Sequence, residues 1–165
     1  MNENIIFDFE KLKAMTHYII SKCEGNDDLI MTALYFSDFD NYEKHEKAIS
    51  GETYMRKTAR PFPSHFSEAI NELLEECKID ESPKLLMNCI EYKYISLIEP
   101  DTSLLTSEEL NTINNTINRI CHFNSEETEQ YSHGDIPLRL AKEDEALNYE
   151  AVFYRGNEYS VRDYN

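Results

Sequence analysis

The chain of 165 residues is 41% hydrophobic, enough to bury one core and too much for a wholly disordered polypeptide. Its 32 acidic residues against 16 Lys and Arg leave a formal charge of −16, a field that repels phosphate backbones and so excludes sequence-independent nucleic-acid binding, while attracting basic proteins at long range. No apolar run approaches the ~18 residues of a membrane span, and residues 1–8 lack the basic start and long apolar stretch of a signal peptide, so the expectation is a cytoplasmic protein with no membrane partner.

Phe9, Leu12, Met15, Ile19 and Cys23 recur at helical spacing and predict an amphipathic helix over 8–23, closed by Gly25 and Asn26. Asn26 or Asp27 then caps a second helix with acids in its first turn. It carries Leu29, Ile30, Ala33, Leu34, Phe36 and Phe39, and is expected to end near His45 and Glu46. Loose alternation over 48–55 predicts a short strand, and Pro61 and Pro63 are expected to exclude regular structure from 60–63. Ser64 is the expected cap of a helix over 65–77. Residues 84–98 read as a strand pair. Thr106 and Glu109 form a capping box for a helix over 107–122, and Ser125 with Thr128 is expected to open a shorter one. Residues 136–141 predict a helical turn and 151–154 a strand or short helix. The fold class is therefore α+β, mainly α: a compact helical domain with a small antiparallel β-sheet, spanning 1–155 and followed by a mobile tail over 156–165.

The chemistry-bearing residues form no constellation for turnover. Cys23, Cys77, Cys89 and Cys121 make no CxxC and have no His at zinc-ligand spacing, so they read as reduced thiols, with Cys23 and Cys121 as small buried hydrophobes. There is no GxSxG, no HExxH, and the four glycines are isolated, which removes the phosphate-cradling loops. Asp38, Asp40 and Glu43 suggest a carboxylate cluster, but at 100° per residue Asp38 and Asp40 point about 160° apart, so a solvated helix flank is the better account. Ser132 and His133 are adjacent, which rarely gives nucleophile-and-base geometry, and His133 is better read as pinning a turn before Pro137. No cofactor or metal is expected, and the chain is expected not to be an enzyme.

Four segments stand out in order: 34–42 (LYFSDFDNY), 49–56 (ISGETYMR), 131–138 (YSHGDIPL) and 148–155 (NYEAVFYR). Together they resemble the Panacea domain, the family of SocA-like antitoxins and phage-associated GepA-like proteins, over about 30–155. Leu34 to Asp38 resembles a family pattern that continues to a Tyr- and His-containing exit, here Tyr42 and His45. Ile49 to Tyr54 resembles an Ile-Thr-Gly-Glu-Thr-Tyr strand, and Tyr149 to Arg155 the family's C-terminal signature. Two departures matter: Arg60 stands where relatives have a turn glycine, and Leu138 where they have tryptophan.

The resemblance implies an antitoxin whose partner is a cognate protein toxin, neutralised by direct binding. One branch resembles a proteolytic adaptor that hands its toxin to a AAA+ protease. The alternative is a phage or mobile-element protein that binds a host factor and has no partner toxin. Some relatives carry a helix-turn-helix segment; none is expected here, and no oligomeric state is implied. The expected partner-binding residues, placed on loops and element ends where aromatic and Arg anchors bind well, are Tyr42, His45, Tyr54, Arg60, Phe62, His133 and Leu138.

Overall fold

In the computed structural model, which describes residues 5–162, one helix is enclosed by the rest of the chain. The elements run α1 (Phe9–Lys22), α2 (Asp27–His45), β1 (Tyr54–Lys57), β2 (Arg60–Pro63), α3 (Phe66–Glu75), β3 (Ile79–Leu86), β4 (Cys89–Ser96), α4 (Ser107–Ile120), α5 (Ser125–His133), α6 (Ile136–Leu140) and a 3-10 helix (Tyr149–Tyr154). The fold is α+β and mainly α, with two separate antiparallel hairpins, β1–β2 and β3–β4, where a single small sheet was expected.

The enclosed helix is α2. It packs against α1, α4, α5, β2 and the 3-10 helix, so every residue from 29 to 43 except Met31 is buried. Its aromatic side chains hold the surrounding layers together. Tyr35 and Phe39 lie 4.6 Å apart between ring centroids, and Phe39 stacks on Tyr149 at 4.1 Å. A helix covered on all sides cannot solvate its polar residues, so each must find a partner inside the protein. That requirement builds the site described below.

Local signals set most boundaries. Asp8 caps α1 and Asn26 caps α2 through side-chain bonds to Lys11 N and Leu29 N. Thr106 and Glu109 make the expected capping box for α4. For α5 the box is one residue earlier than expected, formed by Asn124 and Glu127. Ser64 does not cap α3. Its hydroxyl donates to the Thr53 carbonyl, and the buried carboxylate of Glu52 accepts the His65 N–H at 2.8 Å from across the chain.

The strand expected over 48–55 begins only at Tyr54, because the N–H groups of Ile49 and Ser50 are taken by the Asp38 carboxylate. Conversely, Arg60–Pro63 is a strand despite its two prolines. On β1, Arg56 N–H donates to Glu145 and the Tyr54 carbonyl accepts from Leu147, so both residues turn their backbone polar groups away from β2. Pro61 and Pro63 lie opposite those two residues and therefore also face outward, where the ladder needs no donor. The two-residue loop between the strands, Thr58 and Ala59, has φ of 51° and 59°. This is the left-handed pair that suits a right-twisted hairpin, and it puts Arg60 inside the strand, where no glycine is needed.

Residues 156–162, within the expected mobile tail, lie against the core: Tyr159 hydroxyl donates to the Tyr131 carbonyl, and Val161 N–H donates to Glu43 at 3.1 Å. Residues 163–165 fall outside the described part. Cys23 is buried as expected, and burial together with neighbouring Cys121 pushes its thiol up to about 12. Cys121 itself is exposed at the C-cap of α4, one residue past the apolar stripe. No described helix is long and apolar enough to cross a membrane.

Candidate functional site

The four sequence segments converge inside the molecule around two buried hubs. The first is Asp38. Its carboxylate accepts from Ile49 N–H, Ser50 N–H, the Ser50 hydroxyl and the Tyr54 hydroxyl, at 2.6 to 2.8 Å. Burial pushes this carboxyl above its usual value, while those bonds pull in the other direction. All four partners are donors, the arrangement an ionised carboxylate requires. Gly51 sits beside this hub with φ of 74°, and a Cβ there would lie 2.4 Å from the Ile6 carbonyl oxygen. The Ser50-Gly51 step therefore closes the N-terminal segment over α2, where Asp8 N–H also donates to Ser50.

The second hub is Arg155, whose side chain is 0% exposed. It donates Nε and Nη2 to Asp135 as a bidentate pair, at 2.9 and 2.6 Å, and Nη1 to Asp40 and Glu43 at 2.8 and 3.0 Å. Arg119 adds a second cation on Asp40 at 2.7 Å. Asp135 also accepts from the Tyr35 hydroxyl and caps α6. Burial opposes the charge on Arg155, but the fields of Asp40 and Asp135 outweigh it and hold the guanidinium more firmly protonated than usual. Burial and the neighbouring carboxylates raise the phenols of Tyr35 and Tyr54, which stay neutral donors.

Asp38, Asp40 and Glu43 are thus not a solvated flank. The turn geometry is as expected, with Asp38 on one side of α2 and Asp40 and Glu43 on another, but both sides are covered. The cluster sets three buried carboxylates, Asp40, Glu43 and Asp135, against the buried guanidinium of Arg155 and the partly exposed one of Arg119. What this arrangement does chemically is hold the C-terminal segment, α6 and α2 in one geometry. Among the described residues no group of three or more His, Cys, Asp or Glu side chains is arranged to hold a metal ion.

The expected partner-binding residues divide. Tyr54 (1% exposed) and Leu138 (0%) are core side chains, and Tyr42 is buried with its hydroxyl on Glu150. They lie at element ends, as read from the sequence, but those ends point inward, so in this structure they offer no surface to a partner. Leu138 packs in the core while its carbonyl accepts from Arg56. Arg60 is half-buried, bridging Asp28 of α2 and Glu129 of α5. Phe62 shares its face of β2, and His133 is exposed one turn past Glu129 on α5. These three form one surface group. His45 is exposed at the other end of α2, about 25 Å from Asp28 by helix rise. Ser132 does not pair with His133, since its hydroxyl donates to the Glu129 carbonyl. Asp135, rather than His133, pins the turn before Pro137.

Sequence reading missed Arg155 and Asp135 as hub residues. It also missed the most exposed apolar feature, on β3–β4. Leu85 is 84% exposed and Met87 98%, and Ile90 and Tyr92 are also open. The pairing Ile79↔Ser96, Glu81↔Tyr94, Pro83↔Tyr92 and Leu85↔Ile90 puts those residues on one face. Asp80, Ser82, Lys84, Glu91 and Lys93 lie on the other. At the base this apolar face is covered: Ile79 and Tyr94 are buried, Tyr94 hydroxyl donates to Asp27, and Ser96 meets His17 of α1. Past Tyr94 no described residue covers it.

These features define a mainly helical α+β domain organised around a buried ionic core. The family model described as "Antitoxin SocA-like, Panacea domain" matches residues 30–137, more than half of the chain, and the chain belongs to that family. The assignment carries with it an antitoxin-like role and a protein partner. The matched span contains α2 from Ile30 onward, both hairpins and Asp135, while Arg155 lies beyond it. No curated protein and no solved structure matched the chain.

Proposed function

We propose that this protein is the antitoxin of a toxin–antitoxin pair, resident in the cytoplasm, and that it neutralises a cognate protein toxin by direct binding without turning over a substrate. The observation that carries the reading is the family match over 30–137, a span that supplies the carboxylates of the ionic core. The uncovered apolar residues of β3–β4 support it, because such a patch on a soluble domain marks a surface used for association. The charge of −16 favours encounter with a basic toxin.

The test is co-expression with the product of the adjacent gene under separate promoters. Restored growth and co-purification are the expected results, and a toxic neighbour left unrestrained sinks the reading. Titration in a purified assay of the toxin separates binding from turnover: neutralisation complete at equimolar chain, and not below, is the binding signature. Suppression by a small fraction of an equivalent would instead make the chain an enzyme. Toxin half-life in cells decides between two forms of the same role. A half-life shortened only when a AAA+ protease is present gives the adaptor; a persistent inert complex gives sequestration.

A further inference from the structure

We propose that the distal apolar face of β3–β4, formed by Pro83, Leu85, Ile90 and Tyr92, is the docking surface for a protein partner whose contact patch is apolar and rimmed by Lys or Arg. This rests on the reading of the chain as a binding antitoxin, and assigns that activity a place.

Over 79–96 the charged Asp80, Lys84, Glu91 and Lys93 lie on one face beside Ser82, Leu86, Cys89 and Ile95, while the opposite face carries Ile79, Pro83, Leu85, Ile90, Tyr92 and Tyr94 with Glu81 and Ser96. The buried half of that face ends at Tyr94, and the alternation continues outward for the rest of both strands. The exposed face is thus a continuation of the core surface.

Tyr94 N–H donates to the Gly25 carbonyl, so Tyr94, Tyr92 and Ile90 turn their backbone groups away from β3, and their partners Glu81, Pro83 and Leu85 face the opposite edge. On that edge Pro83 has no donor and Glu81 N–H is held by the Asp80 side chain. Strand addition along β3 is blunted, which leaves the face as the binding element.

Charge selects the occupant. Both lysines of the hairpin, Lys84 and Lys93, sit on the far face, and the charge that shares the apolar face is Glu81. Glu81 and Asp27 both act on Tyr94, where burial and these two acids push the phenol up, so the rim nearest the body is anionic. A second copy of the chain would bring Glu81 and another −16 against itself, whereas a basic-rimmed apolar patch meets complementary charge.

The probe is the toxin that the wild-type chain renders harmless on co-expression, with affinity measured by calorimetry. Leu85→Ser/Ile90→Ser/Tyr92→Ser is expected to weaken binding about 30-fold or more. Glu81→Lys is expected to weaken it several-fold, with the loss confined to low salt. Lys84→Ser/Lys93→Ser, on the opposite face, should bind as wild type. The substituted residues are exposed except for the half-buried Lys93, and circular dichroism and the melting midpoint serve as the folding control. Undiminished binding by a folded triple variant, beside a wild type that neutralises the toxin, overturns this assignment alone. A wild type that neutralises no toxin removes the antitoxin reading and the assignment together. Sedimentation that shows a wild-type dimer dissolved by the triple substitution gives the face to a second copy, and also overturns the proposal.

Discussion

Arg155 is the side chain with most to lose, because three buried carboxylates depend on it. Removing one partner of a buried ionic cluster leaves charge without solvent or counter-charge, at a cost of roughly 3–5 kcal/mol. Arg155→Met is therefore expected to lower unfolding stability by that amount in denaturant titration. Arg155→Lys should recover less than half, since an ammonium cannot reproduce the bidentate bond to Asp135 while also reaching Asp40 and Glu43. An unmoved midpoint for Arg155→Met would mean that the cluster contributes nothing to stability. His17 gives a second residue-scale expectation. Burial, and then the nearby Lys78, lower its pKa below the ordinary 6.5. The unfolded chain thus binds the proton more readily than the native protein does. Stability should accordingly be full above pH 6.5 and fall as pH drops from there through the depressed native value. His17→Gln should flatten that slope, and an identical pH profile in both proteins would remove His17 as its source.

At the scale of elements, the hairpin β1–β2 makes the proline rule conditional on direction. Pro61 faces away from β1, so Pro61→Val should change stability by less than about 1 kcal/mol, mainly through the unfolded chain. Phe62 lies opposite Met55 in the hydrogen-bonded register, and Phe62→Pro should cost about 2 kcal/mol more, because it deletes a ladder donor. Thermal melts of the pair decide the point, and equal losses would contradict the register argument. The same distinction explains what could be read from sequence. The positions of α1, α2 and α4 were legible because apolar spacing and capping are local, and Thr106 with Glu109 announces its own helix start. The strand character of 60–63 was not, because it depends on which edge the prolines face, and that is fixed by residues 145–147. The ionic core was also hidden: Asp40 and Arg155 are 115 positions apart, and a period of 3.6 shows that Asp40 and Glu43 share a face without showing that the face is covered. The β3–β4 alternation was written in the chain, but periodicity marks an apolar face and not whether anything lies on it.

For the molecule as a whole, the dominant long-range property is its negative field. Association with a basic partner should be fastest in dilute buffer and slow by at least about tenfold between roughly 0.05 and 0.5 M salt, while dissociation from the apolar face changes little. Stopped-flow measurement at several ionic strengths would check this, and a salt-independent association rate would remove the electrostatic part of the encounter. A different consequence follows from where Arg155 falls in the order of synthesis. A ribosome makes Asp40, Glu43 and Asp135 before Arg155, the cation that all three share. Until Arg155 emerges the acids of the core lack their shared counter-charge, and the nascent chain is expected to stay open to proteases. A chain truncated before residue 155 is expected to be degraded faster than one that carries Arg155, and a pulse-chase comparison of the two in cells would measure it.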